Sequence, residues 1–315
     1  MLDTTVTDQT QSFLDDFGDA LASGDVDRVT NMFLNDCYWR DLVAFTWNLK
    51  TVEGPDAVRD MLQSQLSQAS PSDFKLQDGE IPAQEGGITT AWITFETAHG
   101  RGWGLIRLKE GRIWTLLTAL QELKGYEEPK GHDRSLGAEH GAEKNRSSWQ
   151  ERRDHELATL GYDTQPYTVI IGGGQGGIAL GARLRQLGVP TLIVEKNDAP
   201  GDSWRKRYKS LCLHDPVWYD HLPYIKFPDN WPVFAPKDKI GDWLEMYTKV
   251  MELNYWTKSD VTSASYDETS GEWTVEIDRD GEKVTLKPKQ LVMATGMSGK
   301  ANMPEFPGQD IYKGT

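Results

Sequence analysis

Apolar residues recur in the first third of the chain at helical spacing and then at strand spacing. Phe13, Leu14, Phe17 and Leu21 share one face of a helix that Gly24 ends. Asp25 is placed to cap a second helix with the apolar stripe Val26, Val29, Met32 and Phe33. Residues 38–43 read as a strand, and 54–66 as a third helix with Pro55 in its first turn. After Pro71 the period becomes two, with Ala91, Ile93 and Phe95 alternating with Trp92, Thr94 and Glu96. His99-Gly100-Arg101-Gly102 is expected to separate this strand from 103–108, and Glu110-Gly111 to turn into 112–120 as a hairpin. Helices followed by an antiparallel meander predict an α+β fold over residues 1–124, whose curled sheet can wrap a helix.

Residues 125–165 lose this periodicity. They are polar and charged and read as a linker with one short helix at 148–160. A regular pattern resumes at Pro166, and residues 166–315 are expected to form an α/β domain. Residues 167–171, Tyr-Thr-Val-Ile-Ile, suit a buried parallel strand. They lead straight into Gly172-Gly173-Gly174-Gln175-Gly176-Gly177, after which 178–187 has helical spacing up to Gly188. Gly172, Gly174 and Gly177 hold the three positions of G-x-G-x-x-G, for a tight turn, close approach to a pyrophosphate and close helix packing respectively. The helix that follows offers free N–H groups and the positive end of its dipole to phosphates. A second β-branched run, 191–194, ends at Glu195 and Lys196, and Glu195 lies 23 residues after Gly172. That separation suits a carboxylate binding ribose hydroxyls, which favours FAD or NAD over NADP, whose 2′-phosphate it would repel.

Composition narrows the class. With 38% hydrophobic and 26% charged residues the chain reads as a soluble globular protein, and no apolar run of 18 or more residues marks a membrane span. The polar N-terminus lacks a signal-peptide profile, so a cytoplasmic location is expected. A net charge of −14 argues against nucleic acid as a partner. Cys37 and Cys212 read as isolated thiols, without disulfide or metal-ligand spacing.

Downstream lie Gly201-Asp202-Ser203-Trp204, the run 211–216 (Leu-Cys-Leu-His-Asp-Pro), and 290–296, a strand ending in Ala294-Thr295-Gly296. At these motifs, together with Gly172–Gly177 and Glu195, residues 167–315 resemble flavin-containing and Baeyer–Villiger type monooxygenases. The resemblance implies FAD as the cofactor and NADPH and O2 as co-substrates. It implies that the loop bearing Ser203 and Trp204 passes the flavin and that Ala294, Thr295 and Gly296 lie against the cofactor. It also implies a backbone contact from Val261 to adenine, and an inserted β-hairpin or meander at 273–286. Simple packing is the lesser alternative for Trp204, whereas for His214 a structural turn residue is favoured over a group that polarises the flavin. Because the cofactor would carry the chemistry, no catalytic triad is expected and none is visible.

The family pattern continues with F-x-G-x-x-x-H and a second glycine fingerprint. Phe306 and Gly308 match, but Tyr312 stands at the His position and the sequence ends at Thr315. The expectation is therefore either the N-terminal, FAD portion of a longer enzyme or a truncated protein, unable by itself to oxidise NADPH faster than free FAD does. Residues 1–124 resemble, more loosely, the SnoaL-like cone of ketosteroid isomerase and scytalone dehydratase. Asp41, on the Trp39-Arg40-Asp41 strand, is the nearest candidate for a base there, although a packing or dimerising module suits the sequence better. The leading reading is an FAD-dependent, NADPH-using monooxygenase acting on a small molecule. The alternatives are another FAD-dependent oxidoreductase and a catalytically incompetent FAD-binding module.

Overall fold

The computed structural model describes residues 4–137, 141, 144–297 and 302–314. They fall into two compact units that divide after Glu128.

In the first unit, α1 (Thr4–Ala22) and α2 (Val26–Asn31) precede β1 (Phe33–Leu42) and β2 (Leu49–Glu53). α3 (Gly54–Ala69) follows, then β3 (Ser72–Leu76), β4 (Ala83–Glu85), β5 (Ile88–Glu96), β6 (Gly100–Lys109) and β7 (Arg112–Leu123). Asp25 caps α2, its carboxylate accepting from the Arg28 N–H at 2.9 Å. The sheet runs β2-β1-β7-β6-β5-β3, with β4 added on β5, and only the β1–β7 pair is parallel. Phe17, Phe33, Trp39, Phe45, Phe74 and Phe95 fill the space between helices and sheet, with Trp39 stacked on Phe33 at 5.7 Å between ring centroids. Two expectations are corrected. Phe33 opens β1 rather than extending the α2 stripe, because Met32 already caps the helix. Gly100 and Gly102 lie inside β6 rather than in a turn, since a Cβ at Gly102 would meet the Phe95 ring at 2.4 Å. Bare backbone there lets an aromatic side chain cross the strand.

The second unit opens with α4 (Trp149–Thr159), which carries a Ser148–Glu151 capping box. β8 (Thr168–Ile171), α5 (Gln175–Gln186) and β9 (Thr191–Val194) form the strand–helix–strand unit. α6 (Asp202–Arg205), α7 (Lys237–Val250) and β10 (Tyr255–Trp256) follow. β11 (Ser259–Asp267), β12 (Glu272–Arg279) and β13 (Glu282–Leu286) make a separate antiparallel sheet, before β14 (Gln290–Met293) returns to the first. The main sheet is wholly parallel in the order β10-β9-β8-β14, with Ile170 level with Ile193 and Val292. The fold is thus an α+β cone followed by a Rossmann-type α/β domain carrying an inserted meander.

The helix expected within a linker is docked on the second unit. Arg153 on α4 is buried and donates to Asn254 Oδ1 at 2.5 Å and to the Leu253 carbonyl at 2.6 Å. Glu156 accepts from Arg185 and, at 3.0 Å, from Asn254. Burial alone would raise the Glu156 carboxyl. Hydrogen bonds from Arg185, Asn254 and Arg153, with the Arg185 charge, instead draw it down to about 2 from an ordinary 4.5. A lowered native value means the contribution is complete above pH 4.5 and fades as pH falls towards about 2. Residues 149–159 should therefore lose amide protection in acid before β8 and β9 do. Protection of this helix that stays level across the window would contradict it.

Candidate dinucleotide-binding site

The site is built where β8, β9 and β14 end, the crevice at which parallel sheets bind ligands. Gly172 takes φ +105°, a conformation side chains rarely adopt, and its N–H donates to the Val194 carbonyl at 2.9 Å. Its carbonyl turns towards α5 so closely that a Cβ at Gly177 would lie 2.0 Å from it. A Cβ at Gly172 would lie 2.5 Å from the Ala294 carbonyl, so the Ala294-Thr295-Gly296 turn stands beside the glycine loop. The parallel β14–β8 pairing causes this, and the Ala294 N–H continues it by donating to Ile171 at 2.8 Å. Thr295 and Gly296 are exposed there.

Gly174 caps α5 without any side-chain hydrogen bond, and a Cβ at Gly174 or Gly176 would meet nothing within 4 Å. The first N–H groups of a helix have no intrahelical acceptor. Open space, bare backbone and a positive dipole end therefore coincide at one point, which is what a pyrophosphate requires. Gln175 is exposed at the same place, and its Oε1 accepts from Trp204 Nε1 at 3.2 Å. Trp204 also packs on the cluster of Ile178, Ile240 and Trp243, so it is both a core residue and a wall of the site. Ser203, in α6, is half-buried beside it.

Glu195 is 6% exposed. Its carboxylate accepts from the Gly173 N–H at 2.8 Å, the Asn197 N–H at 2.9 Å and Asn197 Nδ2 at 2.6 Å. A carboxylate offers about four acceptor positions, so about one remains for a ribose hydroxyl. Lys196 is exposed next to it. The Glu195 carbonyl accepts from the Ser259 N–H at 2.9 Å, and Val261, half-buried in β11, follows two residues after Ser259. Asn197 and Tyr255, whose hydroxyl donates to the Gly173 carbonyl at 2.9 Å, were not foreseen. Neither belongs to a motif, and only the β9–β10 pairing brings Tyr255 to the loop.

Asp41 in the first unit is wholly buried. It accepts from the Phe45 N–H at 3.0 Å, the Thr46 N–H at 2.9 Å, the Thr46 hydroxyl at 2.8 Å and the Thr118 hydroxyl at 2.8 Å. Three of these bonds fold Phe45 and Thr46 back onto β1 and the fourth ties it to β7, so the carboxylate is engaged within the unit. His214 is exposed in the loop after α6, consistent with a turn residue.

Two family models match the chain: a SnoaL-like domain over residues 14–116 and the pyridine nucleotide-disulphide oxidoreductase family over residues 169–314. Among curated proteins, the probable indole-3-pyruvate monooxygenase YUCCA9 of Arabidopsis thaliana is 38% identical over 141 residues, covering 44% of this chain and 34% of that protein. Indole-3-pyruvate monooxygenase YUCCA1 of Oryza sativa subsp. japonica is 34% identical over 150 residues, covering 47% and 36%. A solved flavin-containing monooxygenase from Stenotrophomonas maltophilia shares 26% identity over 46% of this chain and 42% of its own, with a TM-score of 0.41. The chain spans about a third of the length of the curated relatives it matches.

Proposed function

We propose that this chain, in which a SnoaL-like domain precedes a pyridine nucleotide-disulphide oxidoreductase domain similar to flavin monooxygenases, binds FAD in its second unit and serves NADPH-dependent insertion of one oxygen atom from O2 into a small organic substrate. The observation that carries this reading is the bare backbone at Gly174 and Gly176, open at the head of α5 and flanked by Thr295-Gly296 and Glu195. FAD, when bound, supplies the redox chemistry and the activation of O2. The chain's own residues hold and orient it. Gly172 and Gly177 set the turn, and the N–H groups from Gly174 onward take the pyrophosphate. Glu195, with Lys196 alongside, faces the ribose, and the Val261 backbone the adenine. Gln175, Ser203, Trp204, Ala294, Thr295 and Gly296 wall the flavin side. Disulfide reduction, the other chemistry in the family's name, uses a closely spaced cysteine pair, and no C-x-x-C or C-x4-C accompanies the glycine fingerprint in this sequence. The purified protein should carry close to one FAD per chain and recover it after stripping. Colourless protein that takes up no added FAD would overturn the reading.

Glu195→Ala removes the ribose acceptor and the anchor of Gly173 together. Losing one charge-assisted hydrogen bond at about 1.5–3 kcal/mol lowers FAD affinity about tenfold or more. An unchanged dissociation constant, read by flavin fluorescence, would show that the ribose lies elsewhere.

The first unit serves as a structural module in this reading, since aromatic side chains fill its interior and Asp41 is fully engaged. Its outer sheet face carries the edge-to-face pair Trp92–Trp103, 5.0 Å between centroids, with Leu105 and Leu117 in the same register, which suits a homodimer contact. A cytoplasmic enzyme fits the reduced nicotinamide co-substrate. No helix among the described residues is long and apolar enough to cross a membrane.

A further inference from the structure

We propose that Tyr255 is a positioning residue for the dinucleotide: with Glu195 it clamps the Gly173 backbone from both sides and thereby aims the Gly174 N–H at the pyrophosphate. The inference rests on the FAD reading above and adds a residue outside the glycine fingerprint and the strand-end acid.

The peptide geometry carries the argument. In a trans peptide the C=O of one residue and the N–H of the next point in opposite directions. Glu195 Oε2 accepts from the Gly173 N–H at 2.8 Å. The Gly172 carbonyl must therefore point away from Glu195, and it does point at α5, where it closes on Gly177. Tyr255 Oη donates to the Gly173 carbonyl at 2.9 Å. By the same rule the Gly174 N–H must point away from Tyr255. Gly174 is the residue where an added Cβ would find open space. Two hydrogen bonds, one at the Gly173 N–H and one at its carbonyl, thus fix the two successive peptide planes that meet at Gly173.

The ring also dictates the sequence of the loop. A Cβ at Gly173 would lie 1.9 Å from Tyr255 Oη, so Tyr255 occupies the room of a side chain at the second glycine of the GGG run. Tyr255 reaches this place because β10 pairs with β9, with Tyr255 level with Ile193 and the Glu195 N–H donating to the Trp256 carbonyl at 2.9 Å. Tyr255 and Glu195 are delivered together at one end of the sheet. Burial, and then the negative charges of Glu195 and Asp202, push the Tyr255 hydroxyl above its usual range, so it remains a donor at any working pH.

Tyr255→Phe tests this, because it keeps the ring against Gly173 and deletes only the donor. With the Gly173 carbonyl released, the Gly174 N–H loses its fixed direction. FAD and ADP should each bind about tenfold more weakly, while adenosine, which has no phosphate, should bind as before. Equal weakening of adenosine and ADP would show a general loosening and overturn the proposal, as would wild-type affinity for FAD. Amide exchange in the wild-type protein, labelled with 15N-glycine, gives a second measurement that does not depend on a variant. The Gly173 amide should be protected with or without FAD, and the Gly174 amide only with it. Protection of Gly174 that FAD leaves unchanged would refute the aim of its N–H. A wild-type protein that binds no FAD would remove the FAD reading and this proposal together, whereas wild-type binding with an unaffected Phe variant would remove only the proposal.

Discussion

Gly174→Val should leave a folded protein without flavin. Gly174 has φ −74° and ψ −174°, extended values that any residue adopts, and a Cβ there meets nothing within 4 Å. The fold itself therefore gives no reason for a glycine at this position. The reason is the ligand: a valine side chain would stand between the α5 N–H groups and a pyrophosphate. Losing two charge-assisted hydrogen bonds costs about 3 kcal/mol or more, which is about a hundredfold or more in FAD affinity. Gly177→Val makes the contrast. Its Cβ would lie 2.0 Å from the Gly172 carbonyl, a backbone atom that has nowhere to move, so that variant should lose both flavin and the stability of the second unit. Visible absorbance and thermal unfolding of the two proteins separate the cases. Stoichiometric flavin in Gly174→Val would place the pyrophosphate somewhere other than the head of α5.

Asp41→Ala should destabilise the first unit severely and leave FAD binding in the second unit unchanged. The substitution strips the acceptor from two backbone N–H groups and two hydroxyls at the centre of the molecule's aromatic core. Thr118 is the most exposed to the loss in consequence, since its Oγ1 also accepts from Trp39 Nε1 at 2.9 Å. Each buried group left without a partner costs about 1–3 kcal/mol, so about 3 kcal/mol or more is expected in total. That is a large share of the 5–15 kcal/mol that holds a typical domain, and it should lower the unfolding transition of this unit by roughly 10 °C. Calorimetry would resolve it from the transition of the second unit. An unchanged transition accompanied by lost turnover would mean that Asp41 acts as a base and that the structural account of its four hydrogen bonds is wrong.

Local signals were enough for the elements whose hydrophobic period or turn chemistry stands alone. β9 runs from Thr191 to Val194 as its β-branched run predicts, and α4 lies within the short helix expected at 148–160. Those signals act within a few residues, so they are written in the sequence. Strands without a period of their own were not legible. β2, β3, β4 and β10 are short, exposed or irregular, and they become strands only because a neighbour offers unpaired backbone groups. Gly100 and Gly102 read as a turn for the same reason: nothing local says that Leu120 will lie against the first and Phe95 against the second.

The candidate site divides the same way. The sequence by itself determined the glycine fingerprint, the acid at its distance and the Ala294-Thr295-Gly296 strand end, because each depends on a short stretch or a spacing along one chain segment. The tertiary structure decided how those pieces cooperate. It brought Trp204 to Gln175, joined 29 positions apart, and Tyr255 to Gly173, joined 82 apart. It also showed that Glu195 divides its carboxylate between the loop and Asn197, and that Asp41 is engaged by four hydrogen bonds within its own unit. Hydrogen bonds are short and directional, so their partners are set by which strands lie side by side, and that is fixed only when the parallel sheet has formed.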